Sequence, residues 1–211
     1  MVTLGSLLMS LVVVCLTQEA HVLDVNNLFD DITPASFNCN ASSHEYAVGR
    51  CSLRSAWTLC SSLQGHCDIV IPPSSSLEFN ISAGGLQFVK SNIHISIHGN
   101  DSNITSSSRG SSPVDSLISF HLLSAAALSI SNLSISNFGS MHTDGSVIHL
   151  NGPCSLSLLH VHFSNNVGYY GGSVFVNSSS SEQIVISDSY FSGNSAVLYG
   201  YTCIIYCLIV D

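Results

Sequence analysis

Apolar and polar residues alternate in a series of short segments along most of this chain, which predicts β-strands. The alternation covers residues 93–98, 128–135, 156–163 and 184–191, with a one-residue slip at Asn132 that we interpret as a corner. Clusters of Gly, Asn, Ser and Pro separate these segments, as is typical of turns. The pattern therefore predicts an all-β fold.

One unit of this pattern occurs twice with the same spacing. An alternating strand ends at Phe163 and Asn166 follows it, and a second strand ends at Phe191 and Asn194 follows it, so both pairs are 28 positions apart. A fixed period in the twenties is typical of a solenoid. We predict a single-stranded parallel β-helix of roughly five coils over residues 67–200. A β-sandwich is the alternative, but a sandwich does not require such a period.

The repeated residues have structural roles in such a fold. We expect the two Phe rings to stack in the interior, and Asn166 and Asn194 to bond backbone groups at the turn as a short amide ladder. Gly171 and Gly172 are expected to supply a backbone conformation that other residues avoid. We therefore interpret the repeat as a structural unit and not as a catalytic one.

Only the segment 51–66 has a convincing helical period, with Ser52 as the N-cap and Gly65 as the stop. A helix before an all-strand region is expected to cap the first coil, whose apolar core would otherwise be exposed. Residues 18–50 are predicted to be an extended lead-in with a short strand at 21–25. The apolar stripe of the helix consists of Leu53, Ala56, Trp57, Cys60 and Leu63.

The two ends of the chain differ in character from the repeat region. Residues 1–17 combine an apolar stretch with small residues before Gln18, which predicts a secretory signal peptide. An N-terminal membrane anchor is the alternative, but the stretch is shorter than the ~20 residues of a spanning helix. Residues 201–211 form an apolar tail without the repeat, which we interpret as a sign of a truncated or mis-spliced sequence. We predict no transmembrane span in the mature chain.

Secretion would place the eight cysteines in an oxidising compartment. Four of them lie close together, and we expect two disulfides among them, with the pairing left open. A zinc site is the alternative, but no CxxC pair supports it. The four are Cys39, Cys51, Cys60 and Cys67. Six sequons are candidate glycosylation sites, at Asn40, Asn80, Asn100, Asn103, Asn132 and Asn177.

The charge of the chain limits the partners that it can bind. Only 8% of the residues are charged, and 4 Lys and Arg stand against 13 Asp and Glu. The chain therefore has no basic surface for nucleic acid, which excludes that class of partner, and anionic lipid is disfavoured. Its polar surface must come largely from Ser, Asn and Thr.

Candidate catalytic groups are few. A polysaccharide lyase of this architecture needs acidic residues on adjacent coils for calcium, and a glycoside hydrolase needs paired carboxylates. Asp144 and Asp188 occupy different positions in the repeat, so we do not expect them to meet. Glu182 is the third acidic candidate. We predict no catalytic residue, no cofactor and no metal.

Histidines and tyrosines offer two further candidates. If Leu159, Val161 and Phe163 point inward, then His160 and His162 share the outer surface, and His94 and His98 share another outer face. A metal site would need a third ligand, for which His149 is the nearest candidate. We favour a polar outer face instead. Tyr169 and Tyr170 either form an aromatic platform for sugar or pack a turn.

Phe163-x-x-Asn166, Gly171-Gly172-Ser-Val and Phe191-x-x-Asn194 resemble the repeats of the chlamydial polymorphic outer membrane proteins. That family combines FxxN with GGA[ILV] on a right-handed parallel β-helix, and Ser173 stands here where the family usually has Ala. Cys51-Ser-Leu-Arg54-Ser-Ala56 resembles the cap that opens many secreted pectin-lyase-like β-helices. The resemblance spans roughly residues 50–200 and implies a right-handed helix with Arg54 and Trp57 in its cap.

The expected function follows from these observations together. We expect a secreted or cell-surface β-helix that acts as a structural or adhesive module, binds an extracellular protein or glycan, and is not an enzyme. A polysaccharide lyase or glycoside hydrolase is one alternative, since the pectin-lyase-like fold includes both. A fragment of a larger surface protein is another.

Overall fold

A computed structural model describes most of the repeat region and parts of the segments around it. The predicted signal peptide and most of the lead-in, including Asn40, lie outside the described residues. The described residues are 21–26, 39, 51–63, 65–80, 84–88, 93–106, 118–121, 126–139, 147–178, 183–198 and 201–207.

The described part of the chain contains one helix and fifteen strands. Every pair of described strands that hydrogen-bond to each other is parallel. The predicted strand in the lead-in is confirmed as β1. The elements are β1 His21–Asp24, α1 Leu53–Ser62, β2 Gly65–Val70, β3 Ser76–Phe79, β4 Leu86–Phe88, β5 Ile93–Ser106, β6 Ile118–His121, β7 Ala126–Ser136, β8 Ile148–Asn151, β9 Cys154–Ser164, β10 Val167–Gly168, β11 Gly171–Ser178, β12 Ile184–Ser187, β13 Tyr190–Ser192, β14 Ser195–Ala196 and β15 Tyr201–Cys207.

These strands form a parallel β-solenoid with three faces, which confirms the predicted fold class. The first face contains β1, β2, β12 and the first parts of β5, β7 and β9, and the second contains β3, β13 and the second parts of those long strands. The third face contains β4, β6, β8, β11 and β15.

The number of coils differs slightly from the prediction. The structure shows about three turns, and we predicted roughly five coils. Three turns, β5–β6, β7–β8 and β9–β11, have a paired strand on both sides of each of their long strands. The strands β1–β4 and β12–β15 form the two ends of the stack. The solenoid also continues beyond residue 200, because β15 pairs in parallel with β11 over residues 201–207.

Left-handed backbone at a fixed spacing makes the corners of the coils. Asn132, His160 and Asp188 have φ values of 51°, 53° and 50°, and they separate the first face from the second. The predicted corner at Asn132 is therefore confirmed, and it recurs once in each of the next two coils. A second left-handed position ends the second face at Asn137, Asn165 and Gly193, again with one equal step between successive members. Asn, Asp and Gly tolerate this conformation better than other residues.

The corner at His160 changes which side chains point inward. Strict alternation predicted that Leu159 would be buried together with Val161, and this was wrong. Leu158 is fully buried and Leu159 is 41% exposed, whereas Val161 is buried. The left-handed residue resets the alternation, so the inward positions before and after the corner differ in parity.

Apolar side chains from successive coils fill the interior in columns. In one column Ile97, Ile130 and Leu158 lie side by side in register, and all three are buried. The column exists because parallel strands in register place equivalent side chains about 4.8 Å apart. Burial of these columns is the main stabilising contribution to the fold, at roughly 25 cal/mol per Å² of apolar surface.

The helix α1 covers the first coil, as predicted, but it is shorter than the predicted 51–66. Ser52 is the N-cap, and its side chain accepts a hydrogen bond from the Ser55 N–H at 3.2 Å. The helix ends at Ser62, and Leu63 is already extended. Gly65 has φ 93° and is the first residue of β2, so it starts that strand and does not stop the helix.

We predict unequal effects of two neighbouring leucine substitutions. Leu158→Ala should lower the free energy of unfolding by about 2–5 kcal/mol, because it leaves a cavity in the core. Leu159→Ala should lower it by less than about 1 kcal/mol, because that side chain faces solvent. Equilibrium urea denaturation measures both. Equal losses would contradict the reset of the alternation at His160.

Candidate functional site

The Phe-x-x-Asn unit lies where two successive coils stack. The rings of Phe163 and Phe191 are parallel to within 13°, with centroids 5.0 Å apart, and the two residues are paired in register. The predicted ring stack is therefore present. One coil earlier the equivalent residue is Ile135, and Phe138 aligns with Asn166. Phe138 therefore occupies the position of the repeated Asn and not that of the repeated Phe.

Asn166 and Asn194 form the predicted amide ladder. The carboxamide of Asn166 accepts from the Phe138 N–H at 3.0 Å and donates to the Ile135 carbonyl at 3.1 Å. The carboxamide of Asn194 does the same one coil later, accepting from the Asn166 N–H at 3.0 Å and donating to the Phe163 carbonyl at 2.9 Å.

The two side chains of the ladder also bond each other. Asn166 Nδ2 lies 2.9 Å from Asn194 Oδ1, and both residues are buried. Each Asn therefore satisfies backbone groups of the coil before it, at a corner where the regular strand pairing stops. Such bonds matter more when buried, because an unpaired polar group there is strongly destabilising.

Gly171 and Gly172 are required for a reason other than the one we predicted. Neither is among the residues with left-handed backbone. A Cβ on Gly171 would lie 2.4 Å from the Val174 carbonyl oxygen, and one on Gly172 would lie 2.8 Å from the backbone of Ser195. The glycines permit a close approach of backbone to backbone at this corner. A side chain on Gly171 would clash within its own strand, and one on Gly172 would clash with the next coil.

The cap residues tie α1 to the first coil. The Arg54 guanidinium lies over the ring of Phe79, 4.6 Å from its centroid, and donates to the Asn80 carbonyl at 3.2 Å. The indole Nε1 of Trp57 donates to the Gln87 carbonyl at 3.0 Å. These contacts hold the cap helix against the strands of the first coil.

The four clustered cysteines form two disulfides, as predicted. Cys39 pairs with Cys51, and Cys60 pairs with Cys67. The first joins the lead-in to the start of the cap, and the second joins α1 to β2. This arrangement gives the disulfide pairing that the sequence left open. It also rules out a zinc site made of these four cysteines, because all four are in disulfides. Outside this cluster, Cys154 is buried at the start of β9.

A group of interacting polar side chains lies on the outer side of the first face. We call His66, Asp68, His94 and His98 the histidine patch. The rings of His66 and His94 are stacked with centroids 4.4 Å apart. Asp68 Oδ1 lies 3.1 Å from Nε2 of both His66 and His98. His94 and His98 lie on one face of β5, as predicted. His66 and Asp68 of the neighbouring strand β2 extend this face.

The histidine patch contains one arrangement that resembles an activated serine. His98 contacts Ser131 Oγ through Nδ1 at 3.1 Å and Asp68 through Nε2, so a carboxylate and a hydroxyl flank one imidazole. However, the same His-to-Ser contact joins neighbouring strands at four places. The other three are His66–Ser96, His94–Ser129 and His162–Ser192, at 2.8, 2.8 and 2.9 Å. The recurrence indicates a bond between coils and not a single nucleophile.

Burial gives His94 an unusual titration. Its half-buried ring has a pKa below the ordinary 6.5, mainly because burial disfavours the charged form. The stacked His66 lowers the pKa further, and Asp68 opposes the shift. The patch therefore favours a neutral His94 at neutral pH.

His160 and His162 are both exposed in β9, on either side of the buried Val161, as predicted. His160 is the corner residue and His162 lies beyond it on the second face. His149 lies on the third face, against the ring of Phe175. Within the described ranges no group of three His, Cys, Asp or Glu residues has a geometry suited to a metal ion.

The acidic candidates are only partly described. Asp188 is an exposed corner residue that accepts a hydrogen bond from the Ser187 hydroxyl at 2.9 Å. Asp144 and Glu182 lie outside the described residues. Asp188 therefore has a local structural role at its corner.

Tyr169 and Tyr170 pack the turn between the second and third faces. Their rings meet edge to face with centroids 4.8 Å apart, and the ring of Tyr170 stacks on Phe175 at 6.0 Å. Phe175 points to the outside of the third face yet is buried. Sequence reasoning identified the two tyrosines but missed the third member of this small aromatic cluster, because Phe175 belongs to the next strand.

The sequons differ in their surroundings. Asn100 is half-buried and its Nδ2 donates to the Ile71 carbonyl at 3.0 Å, so its amide is already used. Asn80 and Asn103 are also half-buried. Asn132 and Asn177 are exposed. We therefore expect glycans on these last two in preference to the others.

Comparison of the chain with family models, with curated proteins and with solved structures finds no match. Of the helices that the structure describes, none has the length and apolar character needed to cross a bilayer.

We predict that Asn166→Ala lowers the free energy of unfolding by about 3 kcal/mol, because it leaves buried backbone groups at the corner without partners. Asn151→Ala is the matched control, since Asn151 is exposed and its amide makes one long contact of 3.4 Å to Asn177. The control should lose less than about 0.5 kcal/mol. Chemical denaturation measures both, and similar losses would contradict a structural role for the ladder.

We predict that His94 makes the fold less stable in mild acid. Because its pKa is lower in the folded state, the unfolded chain binds the proton more readily. Stability is then lost as the pH falls through 6.5 towards the lower folded pKa. Denaturation midpoints measured from about pH 7.5 to about pH 5.5 should fall more for the wild type than for His94→Gln. Parallel pH profiles for the two proteins would refute this origin.

Proposed function

We propose that the chain is a secreted or cell-surface β-helix module that binds an extracellular protein or glycan through its outer faces and has no catalytic role. The observation that carries the proposal is the different use of the two sides of each strand. Inward side chains, the amide ladder and the corner glycines are all occupied in holding the coils together. Some outward side chains also join coils, as in the pair His66–Ser96, but the outward side chains supply the exposed surface that can meet other molecules.

The outward side chains form regular polar rows. On the first face, Ser96, Ser129 and Ser157 lie side by side on successive strands. Strand spacing repeats these hydroxyl groups about every 4.8 Å. The hydroxyls of Ser96 and Ser129 already bond His66 and His94. The exposed imidazoles, with His66 and His98 at 39% and 43% exposure, are therefore the groups of this flat surface that suit hydrogen bonding to an extended ligand, such as a glycan or a polypeptide.

Three features support an extracellular location. The predicted signal peptide would direct the chain to the secretory pathway. The disulfides Cys39–Cys51 and Cys60–Cys67 are of the kind that persist in oxidising compartments. The resemblance of the repeat to that of chlamydial surface proteins, and of the cap to that of secreted pectin-lyase-like β-helices, supports the same location.

The proposal can be tested with protein produced from the full chain in cultured eukaryotic cells. We expect to recover it from the medium and to measure saturable binding to cell surfaces or immobilised glycans. A variant carrying His66→Ala and His98→Ala changes the first face, and His162→Ala changes the second, so their comparison identifies the face that binds. No unsaturated product should be released from polygalacturonate. Calcium-dependent release of that product, or absence of binding to every surface, would overturn the proposal.

A further inference from the structure

The two stacked rings of the histidine patch present a pair of equivalent nitrogen atoms. His66 and His94 lie in register on β2 and β5, and each uses Nε2 to reach a serine of the next strand, Ser96 or Ser129, at 2.8 Å. The two rings are parallel to within 7°. Because the two Nε2 atoms are placed alike, the two Nδ1 atoms lie together on the other side of the stack.

Both Nδ1 atoms are accessible to solvent. In the described part of the chain neither of them has a hydrogen-bond partner, and no buried side-chain nitrogen or oxygen lacks one, so neither Nδ1 is buried. The row that His66 and His94 begin continues with Ala127 and Ser155 on β7 and β9. The small side chains at these two positions leave room beside the stack for a ligand.

The charge around these nitrogens changes between neutral and mildly acid pH. Imidazole gains a positive charge over this range, and a protonated ring donates from both of its nitrogens. The patch also contains a third imidazole, His98, and one carboxylate, Asp68. From the elements beside it, β1 adds the exposed Asp24, two strands from His98, and β7 adds only hydroxyl and methyl groups. Arg54 of α1 is held elsewhere, over an aromatic ring of β3. Three protonated imidazoles therefore outnumber the carboxylate at the patch.

Histidine also supplies most of the basic groups of the whole chain. The sequence has 10 His against 4 Lys and Arg, and its net charge is −9 when His is neutral. Protonation of all ten would change this charge from −9 to +1. An anionic ligand is therefore repelled at neutral pH, and this repulsion is lost in mild acid.

The stack makes an anion a favourable partner in acid. After burial, the charge of His66 is the next cause that lowers the pKa of His94, because like charges at this separation repel each other. An oxyanion that accepts from both Nδ1–H groups offsets this repulsion and forms charge-assisted hydrogen bonds. Proton uptake and anion binding at the patch then favour each other by the same factor.

We propose that the histidine patch binds an acidic glycan in mild acid and releases it at neutral pH, with a sulfate or carboxylate group of the glycan accepting hydrogen bonds from Nδ1 of His66 and His94. This inference rests on the proposed function, because it names the ligand class and the control of binding for the first face. A glycan suits the patch better than an acidic protein, since protein partners bind largely through apolar anchors and the side chains beside the stack are small or polar.

The test measures binding of a labelled heparin oligosaccharide, which is sulfated, to protein secreted from cells that express the full chain. Fluorescence anisotropy gives the affinity at about pH 5.5 and about pH 7.5, at one ionic strength. The affinity should be at least about tenfold higher at the lower pH. A hyaluronan oligosaccharide, which carries carboxylates only, shows which of the two anionic groups the site accepts. A neutral dextran oligosaccharide should not bind at either pH.

Three variants provide a matched comparison. His66→Gln and His94→Gln each remove one of the two Nδ1 donors, and each should weaken binding at about pH 5.5 at least about tenfold. His162→Gln removes a histidine that makes the same kind of contact, to Ser192, on the second face. It changes the net charge of the chain by the same amount, yet it should bind as the wild type does. Circular dichroism establishes that all three variants are folded.

A second measurement uses the wild-type protein alone. In an NMR titration of the histidine ring protons, the heparin oligosaccharide should raise the pKa of His94, because it binds the protonated ring. The ring protons of His162 should titrate as they do without the oligosaccharide. This readout follows the proton itself, so it separates a ligand contact from a structural effect of the substitutions.

Four results would overturn the inference. They are equal affinity at the two pH values, equal effects of His94→Gln and His162→Gln, an unchanged titration of His94, and equally tight binding of polyaspartate, which would make an acidic protein the ligand. If the protein still binds cells or glycans in these cases, the proposed function stands and only this inference fails. If it binds no cell surface and no glycan at either pH, the proposed function fails as well.

Discussion

The register between successive coils is the constraint on which the rest of this structure depends. In the later coils, left-handed residues recur at one equal spacing at two corners, and the distance between them fixes where each strand begins. This equal spacing makes Phe163 meet Phe191 and lets the Asn carboxamides reach the preceding backbone. The coil between β5 and β7 is longer, with 33 positions from Ile97 to Ile130 against 28 from Ile130 to Leu158, yet the strands stay in register. The aligned strands and corners, and not a single coil length, therefore determine the core.

Polar side chains satisfy backbone groups at two different corners of the solenoid. At the end of the second face, Asn166 and Asn194 bond backbone groups of the preceding coil. Between the first and second faces of the early coils, serine and asparagine take this role, since the Ser75 N–H donates to the Ser102 hydroxyl at 3.1 Å and Asn100 donates to the Ile71 carbonyl. The early coils are also held by the cap and its disulfides. The requirement is constant, and the residues that meet it vary.

The periodic part of this architecture could be predicted from the sequence, because residues that stack on one another recur in the sequence at the length of one coil. The period, the Phe stack, the amide ladder and the cap stripe all follow from residue spacing. The outward direction of Leu159 could not be predicted, because a left-handed corner changes the parity of the alternation without requiring a fixed residue type. His160 stands where Asn132 and Asp188 stand in other coils. The histidine patch was missed in part because His66 and Asp68 lie a whole coil before their partners, in a strand too short to suggest a face.

Side chains that look chemically reactive are here largely engaged in joining coils. The imidazole of His98 has a carboxylate and a hydroxyl as neighbours, but similar hydroxyl contacts recur on other strands.

The regular corners have a further consequence for how such a chain can change over time. Deleting or duplicating the stretch between equivalent corners joins one left-handed position to another and keeps every column in register. Insertion or deletion of a whole coil can therefore change the length of the solenoid without changing its architecture.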